Sequence, residues 1–328
     1  MTPAEILSAF PKLRALVVGD ICLDRWCLYD PTLADLSRET GLPRVAVVST
    51  ETSAGAGGTV AANLAALGTG EVAVLGVVGY DGFGYELEGA LAARGISRDF
   101  LLRAKIPTFT YTKLMNLSTG REDLPRVDFI YSRPLPPDAE AQLIARLEDA
   151  APGFDVVIVA DQAETPHGGT ITPAVRTALA RLGDACPGAV FWVDSRLRPE
   201  HFRRVIVKPN REEADAASMR ALGKIDLMGL RNHMEAPLLV VTHGSEGALV
   251  LHRRGAAWVR TEPVENPVDI CGAGDSFSAG AALALKVTSD PLISARFGNL
   301  VASVTIMKKG TGTASPQEVI DRCGSKTL

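Results

Sequence analysis

The residues whose types and spacing best suit chemistry lie between Asn266 and Leu285. Gly272-Ala273-Gly274 is followed by Asp275 and then by a run of Ala, Leu, Ser and Gly. Glycines let a backbone turn tightly and come close to a ligand. The Ala/Leu run predicts a buried helix. The loop therefore opens into a helix N-terminus, where amides without helical partners and the helix dipole favour an anion such as phosphate. Asp275 falls where that anion would sit. It reads as a helix N-cap or as a carboxylate base beside a phosphate cradle. The dipole is expected to keep it ionised at neutral pH.

Other groups are spaced for binding. Asp20 and Asp24 follow the apolar run Ala15–Gly19, and two carboxylates at that edge suit sugar hydroxyls or, as turn residues, the local backbone. In Gly55-Ala-Gly-Gly-Thr-Val-Ala-Ala-Asn63, a dinucleotide loop would need a small residue at Val60 and a first βαβ strand before it. Neither is present, which leaves Gly57 and Gly58 as flexible points and Asn63 as a donor and acceptor. Asn210-x-x-Glu213 has the form of a helix start, with Glu in the first turn. Asp161 and Asp194 also end apolar runs. Cys271, inside the loop, reads as a small apolar residue in a packed turn.

The elements that must position these groups alternate. Apolar runs at 15–19, 72–78, 156–160, 190–193, 205–207 and 238–242 predict buried strands, and 248–251 continues as another strand. Helical stretches at 3–11, around 85–93 and at 138–150, with further helical segments between the later strands, separate them. Such alternation predicts an α/β fold with a parallel sheet and helices on both faces. The stretch 45–49 is strand-like, and 111–115 and 127–131 read as half-exposed strands.

Val268-Asp-Ile-Cys-Gly-Ala-Gly-Asp-Ser-Phe277 resembles the carboxy-terminal signature of the ribokinase/PfkB family of carbohydrate kinases, with Ile270 where Thr is frequent. Val18–Trp26, Gly57-Gly-x-x-x-Asn63, Asn210-x-x-Glu213, Thr242-x-Gly244-x-x-Gly247 and Lys309–Thr313 resemble its other motifs, in the same order. The resemblance implies one ribokinase-like three-layer α/β/α domain over 1–328, with a mainly parallel sheet. A small β lid would be inserted as segments of about 25–53 and 105–133. It implies ATP-dependent phosphorylation of a sugar hydroxyl, with Asp275 as base and the amides of Gly272, Ala273 and Gly274 on the transferring phosphoryl group. Asp20, Asp24, Gly57, Gly58, Asn63 and Lys113 would meet the substrate, with Arg133 a further cation. Asn210, Thr242, Gly244, Gly247, Asn299 and Gly310 would lie on the nucleotide side. Glu213 would act on Mg²⁺ through water, and Asp269 and Gly310 would border a K⁺ site. A homodimer through the lid is implied by analogy.

Within the family the chain is most similar to the heptose-7-phosphate kinase branch, through 17–25, Leu36-Ser-x-Glu39, Tyr111–Leu114 and Arg126–Phe129. That branch has Ser-Asp-Tyr-x-Lys-Gly where this chain has Ala160-Asp-Gln-Ala-Glu164. It has Asp-Pro-Lys where this chain has Asp194-Ser-Arg196. The alternatives are another PfkB-type sugar or nucleoside kinase, or a catalytically weak ligand-binding relative.

The 328 residues, 46% of them hydrophobic, suffice for a large core. A net charge of −4, spread along the chain, argues against a nucleic-acid or membrane-surface partner. The five cysteines form no C-x-x-C pair, which suits a reducing cytoplasm. No signal peptide or membrane span is expected. There is no Gly-x-x-x-x-Gly-Lys-[Ser/Thr] and no protein-kinase motif set, which disfavours both of those phosphoryl-transfer classes.

Overall fold

The computed structural model describes residues 1–165, 167–324 and 327–328. Its main sheet has eight strands in the order Gly255–Arg260, Gly247–His252, Leu238–Thr242, Ile206–Val207, Val190–Ser195, Val156–Asp161, Arg14–Gly19 and Glu71–Leu75. The last six are mutually parallel, and the first two form an antiparallel hairpin at one edge.

The apolar runs are continuous because both faces of this sheet are covered. Val17 and Ile158 join a core under the helices Gly57–Ala66, Ala273–Thr288 and Pro291–Thr305. Their neighbours Val18 and Val157 join a second core under Pro137–Ala150, Pro173–Ala185 and Arg211–Leu222. The layers are therefore helix, sheet and helix, as the alternation predicts. Trp192 is fully buried at the centre, 6.4 Å from the Phe277 ring of the Ala273–Thr288 helix.

A second sheet has the order Val127–Phe129, Thr110–Asn116, Ile21–Tyr29 and Val47–Ala56. A single residue, Asp20, separates its longest parallel strand from the main sheet. Several sequence expectations need correction here. Residues 21–29 form a nine-residue strand that the apolar runs did not predict. The 45–49 strand is instead Val47–Ala56, which takes in Gly55. Residues 72–78 split in two, because Val77–Gly79 leaves the main sheet to pair with Leu102–Ala104. The 3–11 helix is Pro3–Leu7 followed by a short 3₁₀ turn. No helix among the described residues is long and apolar enough to cross a membrane.

Candidate active site

The Ala273–Thr288 helix starts at the carboxyl edge of the main sheet. Gly272 precedes it at φ +78°, the left-handed region that glycine tolerates best. No side chain caps this start, so Asp275 is not an N-cap. The amide of Ala273 donates to the Ile270 carbonyl at 3.2 Å, which removes it from the set expected to meet an anion. Among the described residues the amides of Gly272, Gly274 and Asp275 carry no such bond. Asp269 braces the loop, its two oxygens accepting the amides of Cys271 (2.9 Å) and Gly310 (3.1 Å).

Lys208 is buried beside this loop. Its Nζ lies 2.7 Å from Asp194 Oδ2 and would sit 3.3 Å from a Cβ placed on Gly274. Burial alone would lower the Lys208 ammonium, but Asp194 holds it above its ordinary value. Asp275 behaves otherwise than expected. Burial pushes its carboxyl up to about 7, and Asp194 adds to the rise, while Lys208 and Arg196 pull it down. Desolvation and like charges outweigh the two cations.

The cleft in front of Asp275 is walled by both sheets. Of the residues expected from sequence, Asp24, Lys113, Asp269, Gly272, Asp275 and Gly310 line it together. Burial pushes the Asp24 carboxyl up to about 6, opposed by Lys113, Arg126 and Arg196. Gly55 makes room for it, since a Cβ there would come within 2.5 Å of the carboxylate. Sequence reasoning gave no site role to Gly55, Lys208, Arg126 or Arg196. Lys208 and Arg196 immediately follow parallel strands, at the same sheet edge as Asp194. Arg196 pairs with Glu164 across the cleft mouth, and Arg126 pairs with Asp128.

Several expected residues lie elsewhere. Asp20 is buried, and its carboxylate accepts the amides of Gln162, Ala163 and Thr170 at 2.7–2.8 Å, tying those three residues to the end of the first parallel strand. Burial and Asp161 push that carboxyl up, and the amides oppose the rise. Gly57 and Gly58 are packing glycines: a Cβ would meet Ile21 at 2.7 Å and Ala54 at 2.5 Å. Asn63 is fully buried, donates to the Thr59 carbonyl, and leaves its Oδ1 unpartnered. Asp161 is consumed by Arg198 and Ser195. Arg133 is exposed and off the cleft wall, whereas Cys271 is exposed on that wall rather than packed.

Asn210 and Glu213 form a reciprocal capping box, with bonds of 2.9 and 2.8 Å. Burial and nearby Asp194 still raise the Glu213 carboxyl, so it faces the charged cluster. Among the described residues no three His, Cys, Asp or Glu side chains form a metal cage. The arrangement suits a hydrated Mg²⁺ held by substrate phosphates. Thr242 bridges to Asn210 beside the Gly244 turn. Gly247 is packed, since a Cβ there would meet the Val259 carbonyl at 2.1 Å. Asn299 lines a separate hollow with Arg260, Thr261 and Ser303.

Residues 14–318 match the pfkB family carbohydrate kinases. A bifunctional protein HldE from Pelobacter propionicus is 32% identical over 342 residues, covering 98% of this chain and 66% of that protein. The bifunctional protein HldE of a Caulobacter species is 31% identical over 336 residues, covering 97% of this chain and 64% of its own length. The chain thus spans just under two thirds of these relatives. Among solved structures, a Thermotoga maritima ribokinase superposes with a TM-score of 0.69 at 17% identity, covering 94% of this chain and 99% of the other. An Escherichia coli phosphofructokinase-2 in complex with potassium superposes with a TM-score of 0.69 at 21% identity, covering 94% and 97%. These two share the ribokinase-like fold. The family match over residues 14–318 makes this chain a member of the pfkB family of carbohydrate kinases.

Proposed function

We propose that this kinase transfers the terminal phosphoryl group of ATP to a hydroxyl of a phosphorylated sugar, with Asp275 as the base. The observation that carries this reading is the placement of Asp275. It sits in the first turn of an uncapped helix, with buried Lys208 on one side and a cleft lined by Asp24, Lys113, Arg126 and Arg196 on the other. Asp24 accepts from sugar hydroxyls. Asp275 takes the proton of the attacking hydroxyl. The free amides of Gly272 and Gly274, with Lys208, stabilise the charge on the transferring phosphoryl oxygens. Mg²⁺, when bound, would neutralise phosphate charge, and Glu213 would meet its water shell.

Three cations around Asp24 exceed what hydroxyl recognition needs, and they favour an anionic group on the sugar. The similarity to heptose-7-phosphate kinases makes heptose 7-phosphate the first candidate. A second reading, a neutral sugar or nucleoside, draws on the pairing of Arg196 with Glu164 and of Arg126 with Asp128, which neutralises two of the cations within the protein. The second sheet acts as the lid over the sugar within a single kinase domain. K⁺ beside the Asp269–Gly310 contact activates the enzyme, a reading that adding and withdrawing K⁺ in the assay would test.

The substrate class is tested by ADP release with Mg²⁺ and ATP against matched pairs, such as fructose and fructose 6-phosphate, with heptose 7-phosphate included. Higher kcat/KM on phosphorylated members is expected. Turnover confined to neutral sugars would favour the second reading.

A further inference from the structure

At the end of the main sheet opposite Asp275 there is a groove of about 1250 Å³. The starts of Val190–Ser195 and Ile206–Val207 form one side, and the His252–Gly255 hairpin turn rises at another. Arg231, from the helix Leu227–His233, lines it while only 5% exposed. Its Nη1 donates to Asn232 Oδ1 at 2.9 Å, and its buried Nε has no hydrogen-bond partner. Among the described residues no carboxylate forms an ion pair with it. Nearby acids are otherwise engaged: Asp184 pairs with Arg204, and Asp290 accepts the amides of Leu292 and Ile293. Glu235 lies on the same wall without pairing to it.

The charged group that acts on Arg231 is a second cation, Arg253, at the hairpin turn. Burial, and then Arg253, push the guanidinium below its ordinary value. A buried guanidinium with an unpartnered Nε and a cationic neighbour is an unfavourable arrangement by itself. An oxyanion would correct both defects, because the edge of a guanidinium matches two phosphate oxygens. The groove leaves room for an organic body beside the oxyanion.

We infer that this groove binds a small phosphate-bearing metabolite through Arg231 and Arg253. The site is separate from the Asp275 cleft. The two are joined by the Ala273–Thr288 helix, whose first turn holds Asp275 and whose last residue, Thr288, reaches the groove wall. Its 16 residues span about 24 Å at the rise of an α-helix.

The test is calorimetric titration with pyrophosphate. The protein would carry Lys113→Ala and Arg196→Ala and be saturated with Mg²⁺ and a non-hydrolysable ATP analogue, so that the cleft does not compete. One site per chain is expected. Adding Arg231→Gln or Arg253→Ala should weaken it at least about tenfold, the usual scale for a lost charge-assisted contact. Arg253 lies on an exposed turn, so its variant reports on the site even if Arg231→Gln folds poorly. Absence of binding by the parent, or unchanged affinity in a folded Arg253→Ala protein, would overturn the inference.

Discussion

Asp275 holds a carboxyl whose surroundings shift its ionisation up to neutral pH. Because burial raises it to about 7, the unprotonated base is lost as pH falls below that value. The kcat/KM profile should therefore decline about tenfold per pH unit below a limb near 7. Removing Lys208 with Lys208→Met removes a cation that favours the ionised form, so the limb should move to higher pH. A profile flat down to pH 5.5 in the wild-type protein would mean that this carboxyl does not act as the base. The loop itself was legible in the sequence, because Gly-Ala-Gly-Asp before an Ala-rich run dictates a helix start. The ionisation was not legible. The dipole was visible in the sequence, whereas Asp194 lies 81 positions away (275 − 194) and meets Asp275 only through the fold.

At the scale of elements, the strand Val47–Ala56 and the strand Ile21–Tyr29 are in register, with Asp24 opposite Ser53. Gly55 lies close enough that a Cβ would press on the Asp24 carboxylate. Gly55→Ala should displace Asp24 and raise the sugar KM by roughly tenfold, with little change in the KM for ATP, since about one hydrogen bond to a charged group is lost. Equal KM values for sugar in variant and wild type would place Asp24 outside sugar binding. Apart from the split at 72–78, the parallel strands were legible because burial on both faces makes them continuous apolar runs. Ile21–Tyr29 was missed because Asp24-Arg25-Trp26 interrupts its apolar pattern, and its face toward the cleft carries polar work. The deep positions of Asp20 and Asn63 were likewise hidden, since spacing does not say whether a polar group meets ligand or backbone.

For the whole molecule, the cleft brings together cations from distant parts of the chain: Lys113 and Arg126 from the second sheet region, Arg196 from the main sheet edge. The same wall carries the carboxylates Asp24, Glu164, Asp269 and Asp275, so the cations sit in a mixed-charge cleft where each can be paired within the protein or by a ligand. Arg196→Ala should raise the KM of a phosphorylated sugar by at least roughly tenfold and leave a neutral sugar nearly unchanged. The same KM for both forms in the variant and wild type would show that Arg196 serves Glu164 rather than the substrate. No local sequence signal foretold this grouping. It depends on the second sheet folding over the edge where the parallel strands end.

The most direct test is kcat for ADP release in Asp275→Asn, measured with Mg²⁺, ATP and the best phosphorylated sugar. Loss of at least about 100-fold in a variant that melts like the wild type is the expected result, within the usual range for removing a general base. Near-normal turnover would contradict the assignment of Asp275 as the base.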